Sequence, residues 1–470
     1  GFTNLTLVGA GPYTLADDAF IGATSTNIYV LTLNATLSEA VRSGSTNVSL
    51  CAGLPQDLAP GQGLFNEVVL TYGTNNTQLT SEDCGNIPPW LIIDKTFVAA
   101  SAADVNGNFV ATYVITVENI GGRTGPYDLT DTPLFDTNVT VSGGTVSGQV
   151  NTNLTGAGPY TLASGVLIGS GDVHTYTLAL NATLSSAVRA GVASVTLCGE
   201  GDGTPVAGEG LFNETTVTFS TNSISVTTND CGDIPPFILI DKTFVSASPA
   251  DTNGLFTITY NVTVENVGGT AGTYDLTDTP APDTNVSILG VAVTGQVTTN
   301  FTGAGPYTLA TGASIGAGVA QSYQLVFDAQ LSMAVMDGTT FVTTCGEGSG
   351  TPVAGEGLFN AATVTYGTNS TTITTNDCGN IPPIVTIRKD FVSTTPIDTN
   401  GAFTVTYTIT VDNSGGVAEI YDLSDLPTPD ANVTILGGAV SGFATQTLVG
   451  AGPYTLATDA SIAAGATHVY

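Results

Sequence analysis

Positive charge is scarce in this sequence: 470 residues include 7 Lys and Arg against 39 Asp and Glu, and the formal net charge at pH 7 is -32. Nucleic acids and anionic membrane surfaces are bound through Lys and Arg side chains that neutralise phosphate. We therefore expect neither class of partner. Long hydrophobic runs are also missing, and without a stretch of about 18 uncharged apolar residues the sequence predicts no membrane span.

Side chains that commonly carry catalysis are few as well. The sequence has two histidines, His174 and His468, and one tryptophan, Trp90. Neither histidine stands in a spacing that would supply a nucleophile, a metal-binding partner or a second acid–base group. We interpret all three residues as structural and expect that the protein is not an enzyme.

What the sequence does contain is repetition. The phrase LVGAGPYTLA stands at residues 7–16 and again at 448–457, with close copies at 154–163 and 301–310, so that each step is 147 residues. Cysteines and lysines follow the same period, which is typical of tandem architectural modules. The glycines of the phrase do not form a phosphate-binding loop, because neither a Lys nor a helix follows them. We interpret the phrase as a turn before a strand.

An Ile-Pro-Pro segment occurs once per repeat, at 87–89, 234–236 and 381–383. Proline stiffens the chain and cannot donate to a sheet ladder, so these segments indicate short, rigid linkers. On this frame residues 90–236 and 237–383 are complete repeats. Residues 1–89 are the C-terminal part of one repeat, and 384–470 are the N-terminal part of a further one, so we expect the chain to begin and end within a repeat.

Between the linkers, apolar and polar residues alternate with period 2. The segment 255–266 (LFTITYNVTVEN) and its copy at 403–411 predict strands with one buried face, and 237–245 predicts another strand. Helical periodicity is almost absent. The predicted fold is all-β: tandem immunoglobulin-like antiparallel β-sandwich modules with a 147-residue repeat, arranged as beads on a string.

Three stretches carry a family resemblance: IDKTFVSASPADTNGLFTITYNVTVENVGG (240–269), YDLTDTPAPDTNVSI (274–288) and GEGLFNAATVTY (355–366). Together they resemble the conserved repeat domain (domain of unknown function eleven) of bacterial and archaeal cell-surface proteins. The resemblance covers about half of each repeat. It implies an extracellular, immunoglobulin-like and mostly structural module.

The six cysteines form three pairs, each 33 residues apart. Equal pairing without a CxxC pattern or a histidine partner favours disulfides in an oxidising compartment over zinc or free thiols. The predicted bonds are Cys51–Cys84, Cys198–Cys231 and Cys345–Cys378. On the chain-entropy model each would stabilise its module by roughly 3–4 kcal/mol.

One lysine per repeat stands in phase with buried residues, and so do one aspartate and one asparagine. An inward lysine is costly unless it is paired. A desolvated lysine amine can also attack an asparagine amide beside a protonated aspartate, forming an isopeptide bond. The candidate sets are Lys95–Asn213–Asp131 and Lys242–Asn360–Asp278. A buried Lys–Asp ion pair with a neighbouring asparagine is the alternative that stays open.

Two other kinds of site are weaker candidates. The Asp-x-Asn-Gly turns at Asp104, Asp251 and Asp398 offer oxygen ligands for Ca²⁺, but such turns also form without metal; the prediction is no cofactor, with Ca²⁺ left open. Asn-x-Ser/Thr sequons are candidates for attached glycans. The candidate positions are Asn34, Asn138, Asn181, Asn261, Asn285 and Asn432.

These observations predict a structural protein. We expect a self-associating subunit of an extracellular filament, fibre or sheath on a prokaryotic cell surface, built of covalently stapled repeats. The stalk of a large surface adhesin is the alternative, and a component of a surface layer follows it.

Overall fold

The computed structural model describes residues 5–51, 53, 58–201, 203–219, 223–348 and 350–470. Across these residues no helix is both long and apolar enough to cross a membrane. The chain divides into two compact units. The first comprises Gly1–Ile92, Glu118–Gly125 and Gly169–Asp172, and the second comprises Ile93–Val117, Pro126–Ile168 and Val173–Tyr470.

The first unit carries a one-turn helix and an antiparallel hairpin. Helix α1 spans Glu39–Arg42, where the Ser38 side chain accepts a hydrogen bond from the backbone of Val41. The hairpin consists of β1 (Leu64–Tyr72) and β2 (Thr77–Gly85), paired along their whole length.

Residues 90–236, called module A below, form two antiparallel sheets over their described part. The elements are β3 (Leu91–Ala100), β4 (Asn108–Asn119), β5 (Gly125–Pro133), β6 (Val139–Gly148), β7 (Thr152–Thr155), β8 (Tyr160–Ile168), β9 (Val173–Leu184), α2 (Ser186–Arg189), β10 (Asn213–Phe219) and β11 (Ser225–Asp230). One sheet has the order β3-β4-β9-β6-β7, and the other has the order β11-β10-β5-β8.

Residues 237–383, called module B, have the same elements in the same order. They are β12 (Ile238–Ala247), β13 (Leu255–Asn266), β14 (Gly272–Pro280), β15 (Val286–Gly295), β16 (Thr299–Thr302), β17 (Tyr307–Ile315), β18 (Ala320–Leu331), α3 (Met333–Met336), β19 (Asn360–Tyr366) and β20 (Thr371–Asp377). Their sheets are β12-β13-β18-β15-β16 and β17-β14-β19-β20. The predicted all-β sandwich fold is confirmed.

Alternation along the strands builds the core of module B. In β13 every second side chain is at most 5% exposed: Phe256, Ile258, Tyr260, Val262 and Val264. The facing strands do the same, and their apolar side chains form one continuous cluster between the sheets. Side chains in a β-strand point to opposite faces in turn, so one face of each sheet is apolar.

Residues 384–470 contain shorter and more open sheets. Their strands are β21 (Val385–Thr394), β22 (Val405–Asn413), β23 (Glu419–Asp425), β24 (Gly437–Val440), β25 (Gln446–Val449), β26 (Tyr454–Ile462) and β27 (Thr467–Val469). The predicted strand 403–411 is found as β22, but Phe403 and Tyr407 are 44% and 47% exposed. The two-stranded sheet β23-β26 stands where module B has four strands, so these rings are covered less.

The repeated phrase GAGPYTLA is a turn followed by a strand, as its composition predicts. In module A, Gly156 and Gly158 have φ of 77° and 88°, a backbone conformation that side chains with a Cβ rarely adopt. The Tyr160 hydroxyl donates to the carbonyl of Gly156 at 2.5 Å, and β8 begins at Tyr160. The phrase is therefore architectural.

Candidate functional site

A lysine, an aspartate and an asparagine from three strands meet inside module B. Lys242 lies on β12 of the five-stranded sheet, whereas Asp278 on β14 and Asn360 on β19 belong to the facing sheet. Asp278 is paired with Ala362, and Asn360 lies two positions from Ala362 on the same face. Strand alternation therefore turns all three side chains into the space between the sheets.

One carboxylate connects the other two groups of this cluster. Lys242 Nζ donates to Asp278 Oδ1, and Asn360 Nδ2 donates to Asp278 Oδ2 at 3.1 Å. The side chains of the ion pair have 0% exposure, and Asn360 is 1% exposed. Lys242 Nζ also lies 4.9 Å from the centroid of the Tyr260 ring, at a cation–π distance. Within the described residues, Asn360 Oδ1 accepts no hydrogen bond.

Burial shifts both partners of this ion pair toward their neutral forms. It lowers the pKa of Lys242 below its ordinary value of 10.5, against the opposing charge of Asp278. It raises the pKa of Asp278 above 3.8, although Lys242 and the Asn360 amide favour the ionised carboxylate. The cause is desolvation, which disfavours any charged group away from water. Compared with the same pair in water, burial therefore lowers the free-energy cost of transferring a proton from the amine to the carboxyl.

Module A brings the corresponding residues together with a different bonding pattern. Lys95 Nζ donates to Asp131 Oδ1 and to Thr215 Oγ1, the latter at 2.6 Å, and Thr215 Oγ1 donates to Asp131 Oδ1 at 2.7 Å. The Lys95–Asp131 pair has 0% side-chain exposure. Among the described residues, neither amide atom of Asn213 nor Asp131 Oδ2 has a hydrogen-bond partner. Burial lowers the pKa of Lys95 here too.

The same Lys–Asp pair recurs in 384–470 without being buried. Lys389 Nζ donates to Asp425 Oδ1, and the two side chains are 38% and 22% exposed. Lys389 Nζ lies 4.8 Å from the centroid of the Tyr407 ring, which matches the placement in module B. The strands β21 and β23 are therefore enough to form the ion pair. Its burial depends on a further strand that covers it, β10 in module A and β19 in module B.

The predicted disulfides are confirmed. All six cysteines lie among the described residues, and each bonded pair has a Cα–Cα distance of 5.9 Å, within the usual range. Each bond joins the segment before the strand pair β10–β11, β19–β20 or β1–β2 to the end of that strand pair. The bonded pairs are Cys51–Cys84, Cys198–Cys231 and Cys345–Cys378.

A second brace lies beside each disulfide in modules A and B. In module B the backbone N–H of Phe244 donates to Asp377 Oδ2 at 2.6 Å, at the point where the pairing of β12 with β13 shifts register. The Phe244 ring packs against Gly379, where an added Cβ would lie 2.1 Å from Phe244 Cε2. These contacts tie the first strand of the module to its last. Sequence reasoning missed Asp377, although Asn-Asp-Cys-Gly recurs at Asn229 one period earlier.

The Ile-Pro-Pro linkers are docked against the next module, a feature that sequence reasoning missed. Asn266, which is 0% exposed, accepts hydrogen bonds through Oδ1 from the N–H groups of Phe237 at 3.3 Å and Gly268 at 3.1 Å. The N–H of Gly269 donates to Ile234 O at 3.0 Å. A Cβ on Gly268 would lie 2.3 Å from Pro235 O, so only glycine lets the linker approach this closely.

Two further linkers have the same docking. Asn413 accepts from Ile384 N at 3.3 Å, and Asn119 accepts from Trp90 N at 3.3 Å, each at one period from Asn266. The recurring Asn-x-Gly-Gly at 119–122, 266–269 and 413–416 is the sequence signal that could have revealed it. Hydrogen bonds hold the chain on both sides of the proline segments, which gives a physical reason to expect rigid linkers.

Modules A and B also touch at a second place. The hairpin between β19 and β20 reaches the buried Ala103 of module A, whose carbonyl accepts from Thr371 Oγ1 at 3.2 Å and from Asn369 Nδ2 at 3.3 Å. Thr371 is 6% exposed. Two separate contacts restrict the motion of one module against the other more than a linker alone would.

The aspartates that are candidate calcium ligands accept hydrogen bonds from backbone N–H groups of their own turns. Asp104 Oδ1 accepts from the backbone of Asn106 and Asn108, and Asp251 and Asp398 cap their turns in the same way. No group of three or more His, Cys, Asp or Glu gathers in the described part of the chain in a way that could hold a metal ion. Calcium at these turns stays a prediction.

The sequon asparagines fall into two groups. Asn34, Asn181, Asn261 and Asn432 are exposed. Asn138 and Asn285 are half-buried, and their amide nitrogens donate to Ser194 O and Asp283 Oδ1 respectively. Glycan attachment at any of these positions stays a prediction.

Comparison with known proteins gives no family for the chain. No family model and no curated protein matches it, so the resemblance to the conserved repeat domain stays a prediction. Among solved structures, a "Biofilm associated protein - B domain" is similar at 10% identity and a TM-score of 0.18, covering 61% of this chain and 85% of that one. A "Biofilm associated protein - BSP domain" is similar at 8% identity and a TM-score of 0.17, covering 69% and 78%.

A β-glucosidase, DesR from Streptomyces venezuelae, is similar at 12% identity and a TM-score of 0.12, covering 60% of this chain and 47% of that one. At TM-scores this low none of these similarities bears on function.

Proposed function

We propose that this chain is a load-bearing, non-enzymatic part of an extracellular filament, fibre or sheath on a prokaryotic cell surface. The observation that carries the proposal is the recurrence, at one fixed period, of braced sandwiches and of docked linkers. A tandem array is extended and transmits force only if its modules resist opening and its joints resist bending. Disulfides and hydrogen bonds within the modules support the first requirement, and the hydrogen bonds that dock the linkers support the second.

The contacts of module B that are relevant to load lie near its first and last strands. A pulling force on the array enters at the start of β12 and leaves after β20. Phe244 on β12 is tied to Asp377 at the end of β20, and the Cys345–Cys378 disulfide closes the segment that precedes β19. The buried Lys242–Asp278 pair adds a second link between the two sheets. To unfold under tension, β12 must separate from β20, and the Phe244–Asp377 hydrogen bond opposes that step directly.

The disulfides support an extracellular location. Structural disulfides form and persist in oxidising environments and are rare in the cytosol. The strong negative charge also suits a surface that must stay soluble, because like charges keep exposed proteins apart. Self-association would then depend on specific contacts between arrays rather than on non-specific attraction.

Immunogold electron microscopy of intact producing cells, with antibodies against the purified chain, tests the proposal. We expect label along ordered fibres or a sheath of constant width. Label on single flexible strings ending in a separate head would favour the adhesin stalk instead, and label confined to the cell interior would overturn the proposal. Cells lacking the gene are the matched control for antibody specificity.

A further inference from the structure

The interior of module B holds the reactants for a covalent bond between its two sheets. The Lys242 amine, the Asp278 carboxyl and the Asn360 amide are buried together, and one carboxylate bonds to both nitrogen-bearing groups. We propose that Lys242 Nζ and Asn360 Cγ become joined by an isopeptide bond, formed by the module itself with release of ammonia. This inference does not rest on the proposed function, because it depends only on the chemistry of the core.

The lysine is a competent nucleophile only as a neutral amine. An ammonium has no free electron pair, and burial away from water favours loss of its proton. Asp278 Oδ1 is the acceptor already in place for that proton. The Tyr260 ring on β13 and the carboxylate on β14 contact the ammonium from different elements, so its position is fixed before the proton is lost.

The asparagine supplies the electrophile and the leaving group. Its Nδ2 donates to Asp278 Oδ2 at 3.1 Å, so a proton carried by this carboxyl has a direct path to the nitrogen that must depart. Asn360 Oδ1 lies buried without a hydrogen bond among the described residues. The bond from Nδ2 to Asp278, and not a bond to the oxygen, therefore holds the amide in this orientation.

The atoms balance within the cluster. The ammonium of Lys242 first gives one proton to Asp278, and the amine then attacks Asn360 Cγ to form the new C–N bond. The attacking nitrogen loses a second proton, and Nδ2 gains one through the Asp278 carboxyl as its bond to Cγ breaks. Of the five hydrogens on the two nitrogens at the start, one stays on the new amide, three leave as ammonia and one remains on Asp278. No oxidant or co-reactant is needed.

Module A is a natural comparison because it differs beside the lysine. Thr215 stands where module B has Ala362, and its hydroxyl bonds to both Lys95 Nζ and Asp131 Oδ1. The amide of Asn213 makes no hydrogen bond to Asp131 or to any other group among the described residues. No hydrogen bond therefore connects Asp131 to the Asn213 amide nitrogen, which would have to gain a proton before it leaves as ammonia. We expect no isopeptide bond in module A.

Mass spectrometry of the purified, reduced and denatured chain tests the proposal. We expect a mass lower than the sequence mass by one ammonia, and a branched peptide that joins the segment containing Lys242 to the segment containing Asn360. Ring closure of an asparagine to a succinimide also releases ammonia, so the branched peptide is the deciding observation. An unmodified Lys242 peptide in full yield would overturn the proposal.

Two matched substitutions sharpen the test without removing any reactant. Ala362→Thr should reduce the branched peptide of module B by at least tenfold, because it introduces the hydroxyl that module A carries. Thr215→Ala should allow a second branched peptide, between Lys95 and Asn213.

A third substitution, Asp278→Ala, removes the proton carrier of module B and should abolish the isopeptide bond. If branched peptide persists in full yield in both Asp278→Ala and Ala362→Thr, the proposed mechanism is wrong.

Discussion

Modules A and B have the same strands, the same sheet orders and the same buried Lys–Asp pair, yet their interiors use the carboxylate differently. In module A, Thr215 and Lys95 share one oxygen of Asp131, and the other oxygen has no partner among the described residues. In module B, where Ala362 has no hydroxyl, the asparagine amide occupies the second oxygen. The two hydrogen-bonding patterns thus differ beside a position where module A has a hydroxyl group and module B has none.

The largest difference between the modules is expected on removal of the lysine. Lys95→Met leaves Asp131 buried without its counter-charge, which costs about 3–5 kcal/mol. Lys242→Met should cost the same and also remove the proposed isopeptide bond, whose long closed loop would add about 5 kcal/mol on the chain-entropy model. Hydrogen exchange resolved by peptide, comparing β10 with β19, measures both losses in one chain. Equal losses of protection would mean that the two interiors are equivalent.

Disulfide removal should have equal effects in the two modules. Replacing Cys198 and Cys231 by Ser, or Cys345 and Cys378, opens loops of the same length and should cost roughly 3–4 kcal/mol in the module concerned. Denaturant unfolding with peptide-resolved exchange gives the two values, and the unmodified module serves as the internal control. A loss much smaller in module B would show that its other braces already restrict the unfolded chain.

The threonine of module A can be tested at constant shape. Thr215→Val removes the hydroxyl that bonds to Lys95 and Asp131, and a hydrogen bond to a charged group is worth about 2 kcal/mol. Because loss of this hydroxyl is also expected to allow a bond from Lys95 to Asn213, the comparison uses protein whose Lys95 peptide is unlinked by mass spectrometry. Thr216→Val on the opposite face of the same strand is the control, with an expected change within about 0.5 kcal/mol. Thermal unfolding followed by circular dichroism provides the comparison. If both variants unfold alike, Thr215 does not stabilise the pair.

The smallest expected difference concerns acid pH. Burial alone would raise the pKa of Asp283, but hydrogen bonds from Thr343 and Asn285 outweigh it and hold the folded pKa below 3.8. This carboxylate therefore stabilises module B above about pH 4, and the contribution is lost as the pH falls through the folded pKa. In module A the Asn138 amide donates to Ser194 instead of to the aspartate.

Unfolding midpoints between pH 2 and 6 measure the effect. Asp283→Asn should flatten the acid dependence of module B and leave that of module A unchanged. A parallel fall in both modules with the variant would mean that the acid sensitivity arises elsewhere.

Period-2 alternation predicted the strands and the inward lysines closely: residues 255–266 form β13 as expected, and Lys242 is buried. The pattern works there because a strand places every second side chain on one face. It could not distinguish Thr215 from Ala362, since both fit a buried strand position, and only the side-chain contacts reveal the difference. It also missed Asn266, because an Asn beside Gly-Gly indicates a turn without showing that another segment docks in it.

The docked joint has a consequence for how such a protein can change its length. Each joint needs only Ile-Pro-Pro from the preceding module and Asn-x-Gly-Gly from the following one, and both parts are the same at every boundary. Because there is no room for a Cβ at Gly268 or Gly415, these positions of the joint tolerate no other residue. Unequal recombination that gains or loses a whole period would rebuild an intact joint each time. The copy number could therefore vary between strains while the geometry of each connection stays constant.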